Sequence, residues 1–390
     1  MNEKDIEEGG VAVMPKDLSW IPTFFKKRLC TTFVEDSFSN GGLCQCGAAR
    51  DHHPSVALGD NFSTAVVSQW FSTQHSSEQP TDAYGELDFN NSRKRDSYFL
   101  RLSSTTDPAK VFDLMKEHWK LQQPNLVVSV VGGEGAWIIT GGLRQGISRC
   151  IGEAVKDNAT AVSSITLNKV LPIGIAPWGL VENRQHLVNS EGSFPAKVTT
   201  QDSCNLDNNH KAFLLVDDGT TGRKGGELAF RARLEDYISR QRPGNASIDI
   251  PVLNMLIAGD TSMLEFLEMS LKNSTPCLVL AGSGGLANLV SDIVENVQSA
   301  AMPGASEKED ASPIMELREQ LAAKVKKYFP AEKKTDKLVD KVLSIYQNKD
   351  IISIYNAEQE GAEDFDIVML KVLVQEHKLT SSRQLVTASQ

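Results

Sequence analysis

Three glycine-rich turns and a few charged and aromatic residues are where this sequence has the means to do chemistry. Gly141-Gly142-Leu143-Arg144-Gln145-Gly146 follows an apolar run and precedes an amphipathic one. Backbone N–H groups and a helix dipole there would face an anion, with the Arg144 guanidinium adding a full charge. Gly282-Ser283-Gly284-Gly285 follows "PCLVLA" in the same way. Tight strand-to-helix turns need glycine without any ligand, but two such turns at strand ends of one sheet strengthen a phosphate reading, because ligands of open α/β sheets gather there. A third turn, "VDDGTTGRKGGE", carries Asp217, Asp218 and Thr220 with Arg223, Lys224 and Glu227 close by; the plainer reading is a solvated loop with an aspartate helix cap. Trp178 in "APWG" and Phe194 in "GSFPA" lie where aromatic faces would sandwich an adenine, against a competing role in core packing.

Cys44-Gln45-Cys46, with Cys30, His52 and His53, supplies metal-ligand residue types. A CxC pair without a second close-set cysteine pair matches no common zinc spacing, so no metal site is expected. The remaining cysteines, 150, 204 and 277, are scattered, and Cys150 and Cys277 on apolar faces read as core thiols. Reduced thiols are expected throughout. The basic run Lys26-Lys27-Arg28 reads as solvated surface.

These residues need a frame. From Tyr98 onward, apolar strands alternate with amphipathic stretches, the pattern of a parallel sheet with helices on its faces. Strands are expected at 125–131, 137–140, 170–176, 212–216, 251–258 and 277–281. Helices are expected at 108–120, 143–156, 226–240, 261–272, 286–297, 314–327, 336–347 and 365–377, most beginning near Gly, Asp, Ser or Thr. Residues 1–95 read as an irregular N-terminal extension with one short strand-like piece at "YGELDF", 96–300 as a Rossmann-like α/β domain, and 301–390 as a linker and α-helical segment. One junction is anomalous. In "LVVSVVGGEGAWIITGG" two buried-looking strands are separated only by residues 132–136, whereas adjacent parallel strands need a crossover of a dozen or more residues. The doubly wound pattern downstream favours a missing helix over a hairpin.

With 41% hydrophobic and 23% charged residues in 390, the chain is an ordinary globular one. A net charge of -10 argues against a nucleic-acid partner held by phosphate neutralisation. Its apolar runs fall short of the ~20 residues that span a bilayer, and the acidic start "MNEKDIEEGG" is unlike a secretory leader. A cytoplasmic location is expected.

The blocks "SWIPTFFKKRLCTTF", "LCQCG", "PTDAYGELDF", "PNLVVSVVGG", "GAWIITGGLRQGI", "GIAPWG", "GSFPA", "FLLVDDGT", "IDIPVLNMLI" and "PCLVLAGSGG" together resemble the cytosolic N-terminal region of melastatin-type transient receptor potential cation channels. The resemblance is strongest to their calcium-activated, monovalent-selective branch. It implies a Rossmann-like nucleotide-sensing fold followed by helical repeats, an adenine nucleotide such as ATP as regulatory ligand with no required cofactor, and full-length subunits of a homotetramer as partners, at the cytosolic face of the plasma membrane. It assigns ligand binding to Arg144, where this branch often has His, to Trp178 and Phe194 near the adenine, and to Gly282, Ser283, Gly284 and Gly285, with no catalytic residue. It also implies a deletion. Family members carry a basic helical segment between the two strands of the anomalous junction, and after "DIVMLKVLV" this sequence departs from the family and stops before the membrane domain and pore. The competing class is an enzyme. The glycine turns and Glu227 resemble Rossmann-like nucleoside-monophosphate glycosidases, with the second glycine motif broken and Glu227 left as the acid.

Overall fold

The computed structural model describes residues 18–39, 41–53, 69–89, 97–129, 136–161, 170–189, 193–194, 203–243, 249–297, 312–332, 335–359 and 363–374. Lys26–Cys30 (β1) and Ser76–Pro80 (β2) form a small antiparallel sheet. Among the described residues the main sheet has ten strands: Tyr84–Phe89 (β3), Ser97–Ser103 (β4), Leu126–Ser129 (β5), Ala136–Thr140 (β6), Val170–Pro177 (β7), Ser193–Phe194 (β8), Ala212–Asp217 (β9), Val252–Leu256 (β10), Cys277–Leu280 (β11) and Ile352–Tyr355 (β12). Their spatial order is β12-β11-β10-β5-β6-β7-β9-β4-β3-β8, and every pair is parallel except β3 with β4. The six strands expected from sequence are all present. They were legible because the central strands β6, β9 and β10 are buried at every position, and such strands read as unbroken apolar runs. The sheet also takes β3 from before residue 95 and β12 from beyond residue 300.

Helices cover both faces. On one lie Pro108–Asp113 (α1, continued by a π turn to His118), Leu228–Ser239 (α3), Met263–Lys272 (α4) and Gly285–Asn296 (α5), with Ser312–Tyr328 (α6) and Thr335–Gln347 (α7) packed outside α4 and α5. Asp107 caps α1 by accepting from the Ala109 N–H, and Pro108 fits the first turn, where its missing donor costs nothing. Asp292 on α5 holds α6 through Lys324 Nζ at 2.6 Å and the Tyr328 hydroxyl at 2.9 Å. On the other face, Ile151 and Val155 of Gly146–Ala161 (α2) and residues of a helix at 365–374 pack against Val128, Ile138, Leu253 and Leu278.

The anomalous junction resolves as two adjacent parallel strands. Leu126 pairs with Ala136 and Val128 with Ile138, and the connecting residues 130–135 lie outside the described ones. Loss of a crossover helix is expected to strip cover from these strands, yet Val128 and Ile138 are buried. Val372, Val368 and Phe365 of the 365–374 helix join α2 in covering that face.

Candidate functional site

From β5 the chain lays β6, β7 and β9 in one direction, then returns through α3 to place β10 and β11 on the opposite edge of β5. The strand order therefore reverses between β5 and β10, the position at which open parallel sheets part their loops and admit ligands. A cleft of about 200 Å³ opens there. Ser129, Thr140, Asn254, Glu227 and Arg231 supply its polar wall, and Met255, Ile257, Met263 and Phe266 are among its apolar lining.

Backbone register sets Asn254 level with Ser129 across the reversal. Asn254 is 3% exposed, and among the described residues neither its amide nitrogen nor its amide oxygen has a hydrogen-bond partner. Buried polar atoms are nearly always paired, so an orphaned donor and acceptor on one side chain mark a place where something else completes the bonding. Beside it, α3 turns Arg231 and Glu235 inward, an i,i+4 pair on its buried face. Arg231 Nε donates to Glu235 Oε1 at 2.9 Å, Nη2 donates to the Ile139 carbonyl at 3.2 Å, and the guanidinium lies 4.8 Å from the Phe266 ring centre. The Ser129 hydroxyl donates to Glu235 Oε1 at 3.1 Å and also accepts from Arg231. Burial raises the Glu235 carboxyl, and the guanidinium opposes that. At the mouth, Glu227 accepts the Gly225 N–H at 3.0 Å, and burial raises its carboxyl above the usual range.

The glycine turns flank this cleft. After β6, the Gly141 N–H donates to Ser148 Oγ at 3.1 Å and the Gly142 N–H to Thr140 Oγ1 at 2.9 Å. Thr140 in turn meets His210 Nε2 at 2.7 Å, and Asp207 fixes the other ring nitrogen at 2.9 Å. Arg144 follows, its N–H on the Asn205 carbonyl and its guanidinium 3.4 Å from Asn208 Oδ1. On the other flank, after β11, Ser283 Oγ accepts from the Ala258 N–H and donates to the Leu280 carbonyl, while the Gly284 N–H donates to Asn288 Oδ1. Gly285 has φ +49 and a Cβ there would stand 2.1 Å from the Gly259 carbonyl oxygen. Close packing of two loops is thus one reason for glycine at that position.

Arg144 and Gly282–Gly285 therefore stand on either side of the cleft without lining it. Trp178 follows β7, four strand spacings of about 4.8 Å from β11. It is 5% exposed, with the Arg101 guanidinium 4.3 Å from its ring centre. Phe194 sits elsewhere. Its strand β8 runs beside the end of β3, which is antiparallel to β4, so Phe194 lies at the sheet edge and toward the N-terminal ends of the parallel strands. The third turn meets the N-terminal extension instead: Asp217 accepts from the Arg28 N–H and from Arg101 Nε at 2.8 Å. Arg28, expected on a solvated surface, is 8% exposed, and Cys150, expected in the core, is exposed. None of the six cysteines is joined to another in the structure. Although no metal site is expected from spacing, the fold gathers Cys30, Cys44, Cys46 and His53 into one buried cluster.

An open, doubly wound parallel sheet with a cleft at its strand-order reversal defines an α/β domain of Rossmann-like type. The chain belongs to the family described as SLOG in TRPM, whose model matches residues 97–135 and 133–345. The match falls into two pieces that meet at the short β5–β6 junction. The chain is 42% identical over 393 residues to transient receptor potential cation channel subfamily M member 4 of Rattus norvegicus, covering 92% of this chain and 31% of that protein. It is 32% identical to subfamily M member 2 of Mus musculus over 91% of this chain and 25% of the relative. To subfamily M member 5 of Homo sapiens it is 34% identical over 74% of this chain and 27% of the relative. The chain thus spans about a third or less of these curated relatives. Among the described residues no helix is long and apolar enough to cross a membrane.

Proposed function

We propose that this chain is a cytosolic regulatory and assembly module of a melastatin-type, calcium-activated monovalent cation channel, and that it binds an adenine nucleotide with the base in the cleft between β5 and β10. The observation that carries the ligand reading is Asn254. A carboxamide offers one donor edge and one acceptor edge in a plane, the complement of the amino group and ring nitrogen of adenine. Met255, Ile257, Met263 and Phe266 give the cleft an apolar side for the faces of a base, and its volume suits a base with the sugar and phosphates outside. The flanking turn with Arg144 and the turn at Gly282–Gly285 then lie on the side where phosphates emerge. The partners in this reading are full-length channel subunits, a homotetramer in the family, at the cytosolic face of the plasma membrane.

Titration calorimetry with ATP tests the assignment. Asn254→Leu keeps the side-chain size and removes both orphaned atoms, so the melting temperature should hold or rise while ATP affinity falls about tenfold or more. Equal affinity in the variant would put the base elsewhere. One observation favours a second reading, nucleoside-monophosphate hydrolysis: Glu227 lines the cleft with its carboxyl held toward the protonated form. Chromatography after prolonged incubation with AMP separates the two, since free adenine that disappears in Glu227→Gln would establish an enzyme and intact nucleotide supports the sensor.

A further inference from the structure

We propose that Cys30, Cys44, Cys46 and His53 form a centre of three thiolates and one imidazole for a single structural zinc ion, which clamps the N-terminal extension onto the rim of the main sheet. Cys30 ends β1, Cys44 and Cys46 stand on the tight turn ending at Gly47, and His53 closes the short helical turn Arg50–His52. All four are buried, at 6%, 0%, 0% and 2% exposure. Their donor atoms lie within 4.8 Å of one another, and Cys46 Sγ is 3.3 Å from His53 Nε2. A tetrahedron built on Zn–S bonds of about 2.3 Å has edges of about 3.8 Å, so a modest contraction converts this arrangement into a coordination shell. Four protein donors fill that shell and leave no open position, the mark of a structural rather than a catalytic ion.

The surroundings prepare each donor. His53 Nδ1 donates to the Ala49 carbonyl at 2.9 Å, the tautomer that turns the Nε2 lone pair toward the sulfurs. Each sulfur receives an N–H: Trp70 Nε1 to Cys30 at 3.1 Å, the Val34 N–H to Cys44 at 3.3 Å, and the Ala48 N–H to Cys46 at 3.4 Å. Three converging donors suit three thiolates better than three thiols. Binding a divalent zinc releases the three thiol protons and none from the neutral imidazole, leaving one net negative charge that these N–H groups share. Three sulfurs and one imidazole select zinc over hard cations, which prefer oxygen.

The clamp reaches the sheet directly. The Thr221 N–H donates to the Cys46 carbonyl at 2.7 Å, and a Cβ on Gly47 would stand 2.0 Å from the Thr221 carbonyl oxygen. The Gly222 N–H continues to the Gly179 carbonyl, next to Trp178. A metal at the cysteines thus fixes the loop after β9 through one backbone bond.

Elemental analysis of the whole chain, purified without chelator, should find about one zinc per molecule. After stripping, cobalt should restore the sulfur-to-metal absorption and the intense visible bands of a tetrahedral thiolate site. Cys46→Ser should lose the metal and Cys204→Ser should keep it. Because Cys46→Ser risks unfolding, His53→Cys supplies the second arm: a shell of four thiolates retains zinc and shifts the cobalt spectrum. Folded wild-type protein with well under a tenth of an equivalent of zinc and no cobalt spectrum would overturn the proposal, as would a disulfide among the three cysteines in unreduced peptide maps.

Discussion

Replacing Arg231 by Met is expected to destabilise the chain by about 3–5 kcal/mol near neutral pH, because it leaves the Glu235 carboxylate buried without its counter-charge. Glu235 is 1% exposed, its Oε1 takes the Arg231 and Ser129 bonds, and its Oε2 has no partner among the described residues. The pH dependence has a definite sign. Burial already holds the folded-state pKa of Glu235 above its unfolded value, so below both values the group has no effect, and its ionisation costs stability as pH rises from the unfolded toward the folded pKa. Removing the guanidinium raises the folded value further and widens that window. The deficit of Arg231→Met should therefore be smaller at about pH 5 than at about pH 8. Adding Glu235→Leu should recover most of the loss, since an apolar pair of similar volume carries no desolvation cost. Chemical denaturation of the parent chain, Arg231→Met, Glu235→Leu and the double variant at both pH values measures this; additive, pH-independent losses would show that Arg231 acts by packing alone.

The second large effect is expected at Asp217, which ties three parts of the chain together. Its Oδ2 accepts from the Arg28 N–H at 3.2 Å and from Arg101 at 2.8 and 2.6 Å, while Oδ1 accepts the Gly219 N–H at 2.9 Å. Arg28 in turn binds Ser103 Oγ, the Ser72 carbonyl and Ser76 Oγ, so the carboxylate holds the β1–β2 sheet on the end of β9. Asp217→Ala leaves the buried Arg101 with Asp82 as its remaining ionic partner. Because Asp82 still compensates part of that charge, the loss should fall at the low end of what breaking a buried pair costs, about 3 kcal/mol, which corresponds to a fall of roughly 10 °C in melting temperature for a domain of this size. Limited proteolysis should then cut within residues 26–80, which carry the small β1–β2 sheet, well before it cuts the main sheet. Simultaneous loss of both regions would mean that the small sheet and the large one unfold as one unit.

The main sheet was legible because its central strands are buried on both faces and their apolar residues come without alternation. Helix positions followed from the spacing of apolar residues and the turn chemistry at their starts; α4, α5 and α7 lie within two residues of expectation. What sequence hid depends on partners far along the chain. Lys26-Lys27-Arg28 has the composition of a surface run, and Arg28 becomes interior through distant partners: its N–H on Asp217, almost two hundred residues away, and its guanidinium on Ser103, Ser72 and Ser76. The Cys30, Cys44, Cys46 and His53 cluster is invisible in spacing because β1 delivers Cys30 from outside the CxC turn. Asn254 left one faint signal, a lone amide inside the apolar run "IPVLNMLIAG". The glycine turns drew attention to the edge of the sheet where the cleft opens, yet their N–H groups are largely bonded within the protein, so glycine there reports backbone geometry first.

Hydrogen exchange on the intact chain, with and without saturating ATP, tests the nucleotide cleft most directly. The account predicts slowed exchange in 252–259 on β10 and its following loop and in 141–148 on the flanking turn, with 84–89 on β3 unchanged. Protection confined to β3 or to the loops around Trp178, with 252–259 unaffected, would contradict it.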